Sequence, residues 1–215
     1  MLRLNLRLRA KIGKRLSRLG LEPFYELNLR DINGRILDIG CGQQEVNYGN
    51  SGQIIRLDIR KTQGIDIVAD AHNLPFQDSV FSGIICKEVL EHLHHPHKAV
   101  DEMRRVLLPG GKLVASMPFY HPIHSPPNDY FRFTKFGLQM LFEQWSQVSI
   151  RAKNGLLGTL GIHIVRLAYA RFLIIKILYP LIISIAFFLI LLDKLSRHIS
   201  KNEFVTSGYL ITAGK

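Results

Sequence analysis

Between residues 35 and 151 the chain alternates short apolar runs with polar stretches that carry helical spacing. Apolar runs at 36–39, 54–59, 65–69, 81–86, 112–117 and 148–151, and a last one at 209–213, have the length of strands. Strands that are apolar along their whole length belong to sheets covered on both faces by helices, which are mostly parallel. The stretches 87–107 and 134–144 predict helices, the second with Thr134 placed to accept from the first free amides. Pro109, Gly110 and Gly111 predict a tight turn before the fifth strand. Strands alternating with helices predict an α/β fold built on a doubly wound, mostly parallel, seven-stranded sheet.

Two segments break the alternation. Over residues 1–21, Leu4, Leu8, Ile12, Leu16 and Leu19 form one helical stripe, with Arg7, Lys11, Lys14 and Arg18 off it. Such a basic amphipathic helix either packs on its own domain or lies in the plane of an anionic lipid surface. Residues 154–203 form a helical hydrophobic insertion before the last strand, and 177–192 hold no charge. The organisation expected is therefore a terminal helix over 1–21, a body made of 22–153 with 204–215, and an insertion over 154–203.

Charge sharpens this division. Lys and Arg number 28 against 17 Asp and Glu, a net +11. Residues 1–18 carry seven basic groups and no acid, and 152–202 carry seven against one, while the body from 19 to 151 is slightly acidic. Clustered basic charge on appendages points to an anionic membrane surface. A slightly acidic body without basic groups interleaved with aromatics argues against nucleic acid as the partner. The two cysteines, Cys41 and Cys86, suggest a reducing compartment.

The chemistry centres on ILDIGCGQQ, residues 36–44. A strand ends there in Gly40 and Gly42, and glycines let the backbone turn sharply and approach a ligand closely. Asp58, at the tip of the second run, stands where an acid grips a ribose diol in nucleoside sites. Further stretches follow in order: LDIR (57–60), ADAHNLPFQDSVF (69–81), EVLEHL (88–93), RRVLLPGGKL (104–113) and PFYHPIHSPPNDYFRFT (118–134).

Over residues 34–145 and the final strand, these motifs resemble the class I S-adenosylmethionine-dependent methyltransferases. The small methyltransferase-domain type associated with glycan and lipid biosynthesis is the nearest in kind. The resemblance implies a Rossmann-like methyltransferase fold with S-adenosyl-L-methionine as cofactor. It sets Asp38, Gly40 and Gly42 against the amino-acid end, Asp58 on the ribose hydroxyls, and Asp70 and Ala71 beside the adenine. Lys87 and Glu88 would lie near the sulfonium and the acceptor. This chain departs from the pattern at Gln44, where a third glycine is usual, and at Ser82, where an acid is often found. Residues 43–53 also leave no room for the usual first crossover helix.

Past the fifth strand, His121, His124, Asp129, Tyr130 and Arg132 fall on the ligand-binding edge of such a sheet. His124 is the candidate general base, with Asp129 or His121 behind it. Otherwise the Asp-Tyr-x-Arg set makes only local hydrogen bonds in a structural loop. His92, His94, His95 and His97 have no evident acid or cysteine to complete a ligand set, so no metal is expected.

In the resembled family the last two strands pair, which puts both on one side of any membrane. A single crossing by the insertion is then excluded. Arg166 and Arg171 oppose a second crossing, since each costs several kcal/mol at a bilayer centre. The expectation is a helical hairpin dipping into one leaflet, with a soluble lid or a dimer interface as the alternative. Together these features predict a peripheral protein at the cytoplasmic face of a membrane. It would methylate a lipid-linked or small-molecule acceptor, foremost a glycan hydroxyl. Carbon methylation of a quinone or isoprenoid ring, and a non-catalytic membrane adapter, are the alternatives.

Overall fold

A computed structural model describes residues 16, 21–42, 52–167, 177–196 and 205–215. The basic stretch before Leu21, apart from Leu16, and residues 43–51 of the shortened loop lie outside the described residues.

Seven strands form one sheet: β1 (Arg35–Ile39), β2 (Gln53–Asp58), β3 (Ile67–Val68), β4 (Phe81–Lys87), β5 (Leu107–Pro118), β6 (Ser146–Ala152) and β7 (Gly208–Gly214). Their order is β3-β2-β1-β4-β5-β7-β6. The pairs β1–β2, β1–β4, β2–β3 and β4–β5 are parallel, and β5–β7 is antiparallel. Winding reverses between β1 and β4, so the crevice beyond their carboxyl ends is where this architecture binds ligands.

Ile36, Leu37, Ile84, Ile85, Leu113, Val114 and Ile211 are fully buried, as strands covered on both faces require. Helix α1 (Leu21–Leu29) buries Leu21, Tyr25 and Leu29. Helix α2 (Pro96–Val106) buries Ala99, Val100, Met103 and Val106, a stripe at helical spacing. Each of its larger side chains gains about 1.5–3 kcal/mol from burial. Helix α3 (Lys135–Leu141) starts as expected, with the Thr134 side chain accepting from the Gly137 amide at 3.1 Å.

Three expectations need correction. The stretch 87–107 is not one helix: a 3-10 turn spans Leu90–His92, and α2 begins at Pro96. Proline is suited to the first turn of a helix, where its missing N–H has no partner to lose, but not to its interior. The third run shortens to two residues. The fifth strand starts at Leu107 and takes in the Pro-Gly-Gly turn as a bulge, because Phe81 pairs with Leu107 but Gly83 pairs with Lys112. Gly110, at φ +75°, allows that reversal.

By contacts the chain divides into two compact units. One is Pro23–Arg151 with Gly208–Lys215; the other takes in Ala152–Ser207 and residues before Pro23. In the second unit, helices α4 (Leu156–Leu167) and α5 (Tyr179–Ser196) pack antiparallel. Gly155 and Gly158 face Asp193, while Gly161 faces the Ala186 carbonyl and Ile190. A Cβ at Gly161 would stand 2.8 Å from that carbonyl, so small residues set how closely the helices approach. Buried Asp193 accepts from the Gly155 amide at 2.9 Å. The Asn154 side-chain oxygen accepts from the Ser207 amide at 2.8 Å and from the hydroxyls of Thr159 and Thr206, both at 3.2 Å. Asn154 thereby clasps the two ends of the insertion. Leu181, Ile185, Phe187, Phe188, Leu191 and Leu195 of α5 are exposed. Among the described residues no helix is long and apolar enough to cross a membrane.

Candidate active site

Four of the expected cofactor residues converge at the tips of β1 and β2. The chain leaves β1 through Gly40 (φ +66°) and Gly42 (φ +61°), a left-handed backbone that favours glycine. The Gly40 amide donates to the Leu57 carbonyl at 2.7 Å, and the Gly42 amide donates to Asp58 Oδ2 at 3.1 Å. Asp58 Oδ1 accepts from the Arg60 amide at 2.9 Å. The acid at the second strand tip therefore also fastens the glycine turn. A Cβ at Gly40 would lie 2.5 Å from Val89 Cγ2, whereas one at Gly42 would meet nothing within 4 Å among the described residues. Among the described residues the space at Gly42, beside Asp58, is open, which fits the approach of S-adenosylmethionine to backbone.

Asp38 is buried, and burial pushes its carboxyl up to about 7, with Lys87 and then Arg56 drawing it back down. Lys87, ending β4, also holds its ammonium 5.5 Å from the centre of the Tyr25 ring. Glu88 has φ +54°, a strained backbone for a non-glycine residue, and its amide donates to Ser116 on β5 at 2.9 Å. Asp70 and Ala71 part company. The exposed Asp70 turns to His72, accepting from its amide at 2.9 Å and meeting its ring at 2.6 Å, which holds the acid below the usual carboxylate range. Ala71 is buried in the core.

The segment after β5 folds back onto the 3-10 turn. Amides of Tyr130 and Phe131 donate to the Glu91 carbonyl at 2.8 and 3.3 Å, and His92 Nδ1 meets the Asn128 carbonyl. The Tyr130 hydroxyl donates to Asn128 at 2.8 Å and meets His94 Nε2 at 3.1 Å. Arg132 donates through both terminal nitrogens to the buried carboxylate of Asp129, at 2.6 and 2.7 Å. That guanidinium holds Asp129 far below the ordinary carboxylate range. Asp129 Oδ2 accepts from the His124 amide at 2.7 Å and stands 3.4 Å from His124 Nδ1.

His124 Nδ1 thus faces Asp129 and, at 3.5 Å, the Arg132 guanidinium; His121 stands beside it, ring centres 4.7 Å apart, with Nδ1 toward the Pro122 carbonyl at 2.9 Å. The Asp-Tyr-x-Arg hydrogen bonds exist and also position the histidine. Burial pushes the His124 ring below its ordinary value, against the pull of Asp129, which favours the neutral form that carries a lone pair.

One residue was missed by sequence reasoning. Glu91 is wholly buried, and burial raises its carboxyl to about 8. Its Oε1 lies 3.7 Å from Nε2 of both His92 and His124. The expectation that no acid stands with the histidines therefore fails: Glu91 completes a three-residue set whose third member comes from the segment after β5. Its neighbour His92 was the only signal in the sequence.

Residues 37–115 match the methyltransferase domain family model. A demethylmenaquinone methyltransferase of Renibacterium salmoninarum is 36% identical over 105 residues, covering 43% of this chain and 44% of the relative. The chain thus spans less than half the length of that curated relative. Among solved structures, a SAM-dependent methyltransferase from Archaeoglobus fulgidus aligns with a TM-score of 0.56 at 17% identity, covering 96% of this chain and 94% of that one. The [4+2]-cyclase SpnF aligns equally well, at 0.56 and 19% identity over 91% of this chain and 79% of its own, so the architecture alone does not fix a reaction. Residues 37–115 are thus similar to the methyltransferase domain, and the body of this chain has the Rossmann-like fold of S-adenosylmethionine-dependent methyltransferases.

Proposed function

We propose that the chain transfers the methyl group of S-adenosylmethionine to an acceptor hydroxyl, on a glycan or lipid-linked molecule presented at a membrane surface. One observation carries this: His124, backed by Asp129, stands 3.7 Å from Glu91, which follows the end of β4 at Lys87. Bound S-adenosylmethionine supplies a methyl group already activated by its sulfonium. The chain must hold an acceptor in line with that methyl and take up the acceptor's proton. His124 Nε2 takes the proton, and Asp129 steadies the resulting imidazolium. A positioned base of this kind contributes about 10²–10⁴ in rate. The exposed apolar surface of α5 favours a lipid-borne acceptor, because a large exposed apolar surface marks an interaction site.

A quinol ring is the second reading, favoured by the demethylmenaquinone methyltransferase relative. There the same base removes a phenolic proton, the adjacent ring carbon attacks the methyl as S-adenosylhomocysteine leaves, and the hydrogen on that carbon is lost as a proton while the oxygen regains one, restoring the aromatic ring. The test supplies methyl-labelled S-adenosylmethionine and bacterial lipid extracts to the purified chain, with labelled products separated into quinone and glycolipid fractions. Label in glycolipid, reduced about 100-fold by His124→Ala with cofactor binding retained, supports the first reading. Label in the quinone fraction supports the second. Equal turnover by the variant removes His124 as base, and no product from a chain that binds cofactor points to an adapter.

A further inference from the structure

Glu91, His92 and His124 each offer one ligand atom, and the three atoms lie within 4.8 Å of one another. Glu91 has no exposed surface, and among the described residues neither carboxylate oxygen meets a hydrogen-bond donor. An acid buried without such partners is unfavourable, so this arrangement calls for a compensating group. Arg132 is committed to Asp129 through two short hydrogen bonds.

The histidines face the acid in the manner of ligands. A carbonyl oxygen only accepts, so His92 Nδ1, against the Asn128 carbonyl, carries a proton, which leaves Nε2 as the nitrogen that can take an ion. His124 Nδ1 stands 3.4 Å from Asp129 Oδ2, with its Nε2 turned to Glu91. Metal-binding histidines are fixed in this way, one ring nitrogen on a carbonyl or carboxylate and the other on the ion. Ligand atoms held about 2.1 Å from a tetrahedral ion stand about 3.4 Å apart. The 3.7 Å from Glu91 Oε1 to each Nε2 needs only slight side-chain adjustment to reach that.

We propose that Glu91, His92 and His124 bind a divalent transition-metal ion of the zinc or iron(II) class. Two imidazoles and one carboxylate suit these ions, whereas calcium and magnesium favour oxygen-only sets. Three protein ligands leave a coordination position for a water or an acceptor oxygen. An ion on His124 Nε2 takes up the lone pair that the proposed base uses, so the loaded site and His124 as base exclude each other; the site stands on its own geometry and holds whether or not the chain transfers methyl groups.

The test uses the full chain, stripped with a chelator, and titrates cobalt(II) as the probe by visible absorption, with zinc(II) as competitor. The expected result is saturable cobalt bands at a single equivalent, displaced by zinc. Glu91→Gln and His92→Ala should each weaken binding by at least about tenfold. His97→Ala, exposed on α2, should not change it. Folding of each variant is checked by the emission of buried Trp145, and His92→Ala decides if Glu91→Gln does not fold. Absence of cobalt bands in the folded wild type overturns the proposal. Bands that survive both ligand substitutions also overturn it, since the ion would then sit on other histidines. Calorimetric titration of S-adenosylmethionine into the same protein reports separately on the cofactor site.

Discussion

Glu91→Gln isolates the buried acid while keeping its shape. Burial lifts this carboxyl from 4.5 to about 8. Between those values the folded chain holds a proton that the unfolded chain has released. Stability from this group is therefore greatest below pH 4.5 and declines as pH rises toward 8. The slope is about 1.4 kcal/mol per pH unit, so going from pH 5.5 to 7.5 removes about 2–3 kcal/mol. Asp38, raised to about 7, acts in the same direction, so the informative quantity is the difference between wild type and variant at each pH. Urea unfolding with chelator present, followed by Trp145, the single tryptophan, supplies it. The variant should gain about 2–3 kcal/mol on the wild type across that interval. Differences at the two pH values that agree within about 0.5 kcal/mol would refute the assignment of Glu91 as an uncompensated buried acid.

Asp58→Asn turns an amide N–H₂ toward one of the two backbone donors that the carboxylate now satisfies; a loss of about 1–3 kcal/mol in stability is expected, and calorimetry should show weakened cofactor binding. Gly40→Ala combines a left-handed backbone with a contact of 2.5 Å to Val89; unfolding should show a cost of at least about 1 kcal/mol, and the rise in melting temperature induced by S-adenosylmethionine should shrink. Thr134→Ala removes the side-chain acceptor for the Gly137 amide at an exposed position, and urea unfolding should register a loss of about 1 kcal/mol with cofactor binding unchanged.

The sheet was legible because strands buried on both faces are written as unbroken apolar runs. β1, β2, β4 and β7 start or stop within a residue or two of those runs. The division at Pro96 was also written, since proline cannot sit within a helix, but continuous helical spacing from 87 to 107 concealed it. The glycine turn and Asp58 were readable for the same local reason: each lies at the end of its own strand. The cluster at Glu91 was not. Its acid follows β4 and its second histidine follows β5, and bonds such as those from the Tyr130 and Phe131 amides to Glu91 and from His92 to Asn128 bring them together. Sequence spacing records neighbours along one element, and this site is assembled across two. The role of Arg132 was hidden similarly, because its partner becomes a buried carboxylate only once the segment has folded back.

The clasp at Asn154 bears on how this chain tolerates a long interruption. Flexible loops cost more closure entropy as they lengthen, though only slowly. By joining residue 154 to Thr206 and Ser207, the clasp makes the strands on either side experience a short connection, whatever is spliced between its ends. The insertion therefore behaves as an interchangeable cassette. Its apolar helices can lengthen, shorten or change composition without altering the register in which β7 lies against β5.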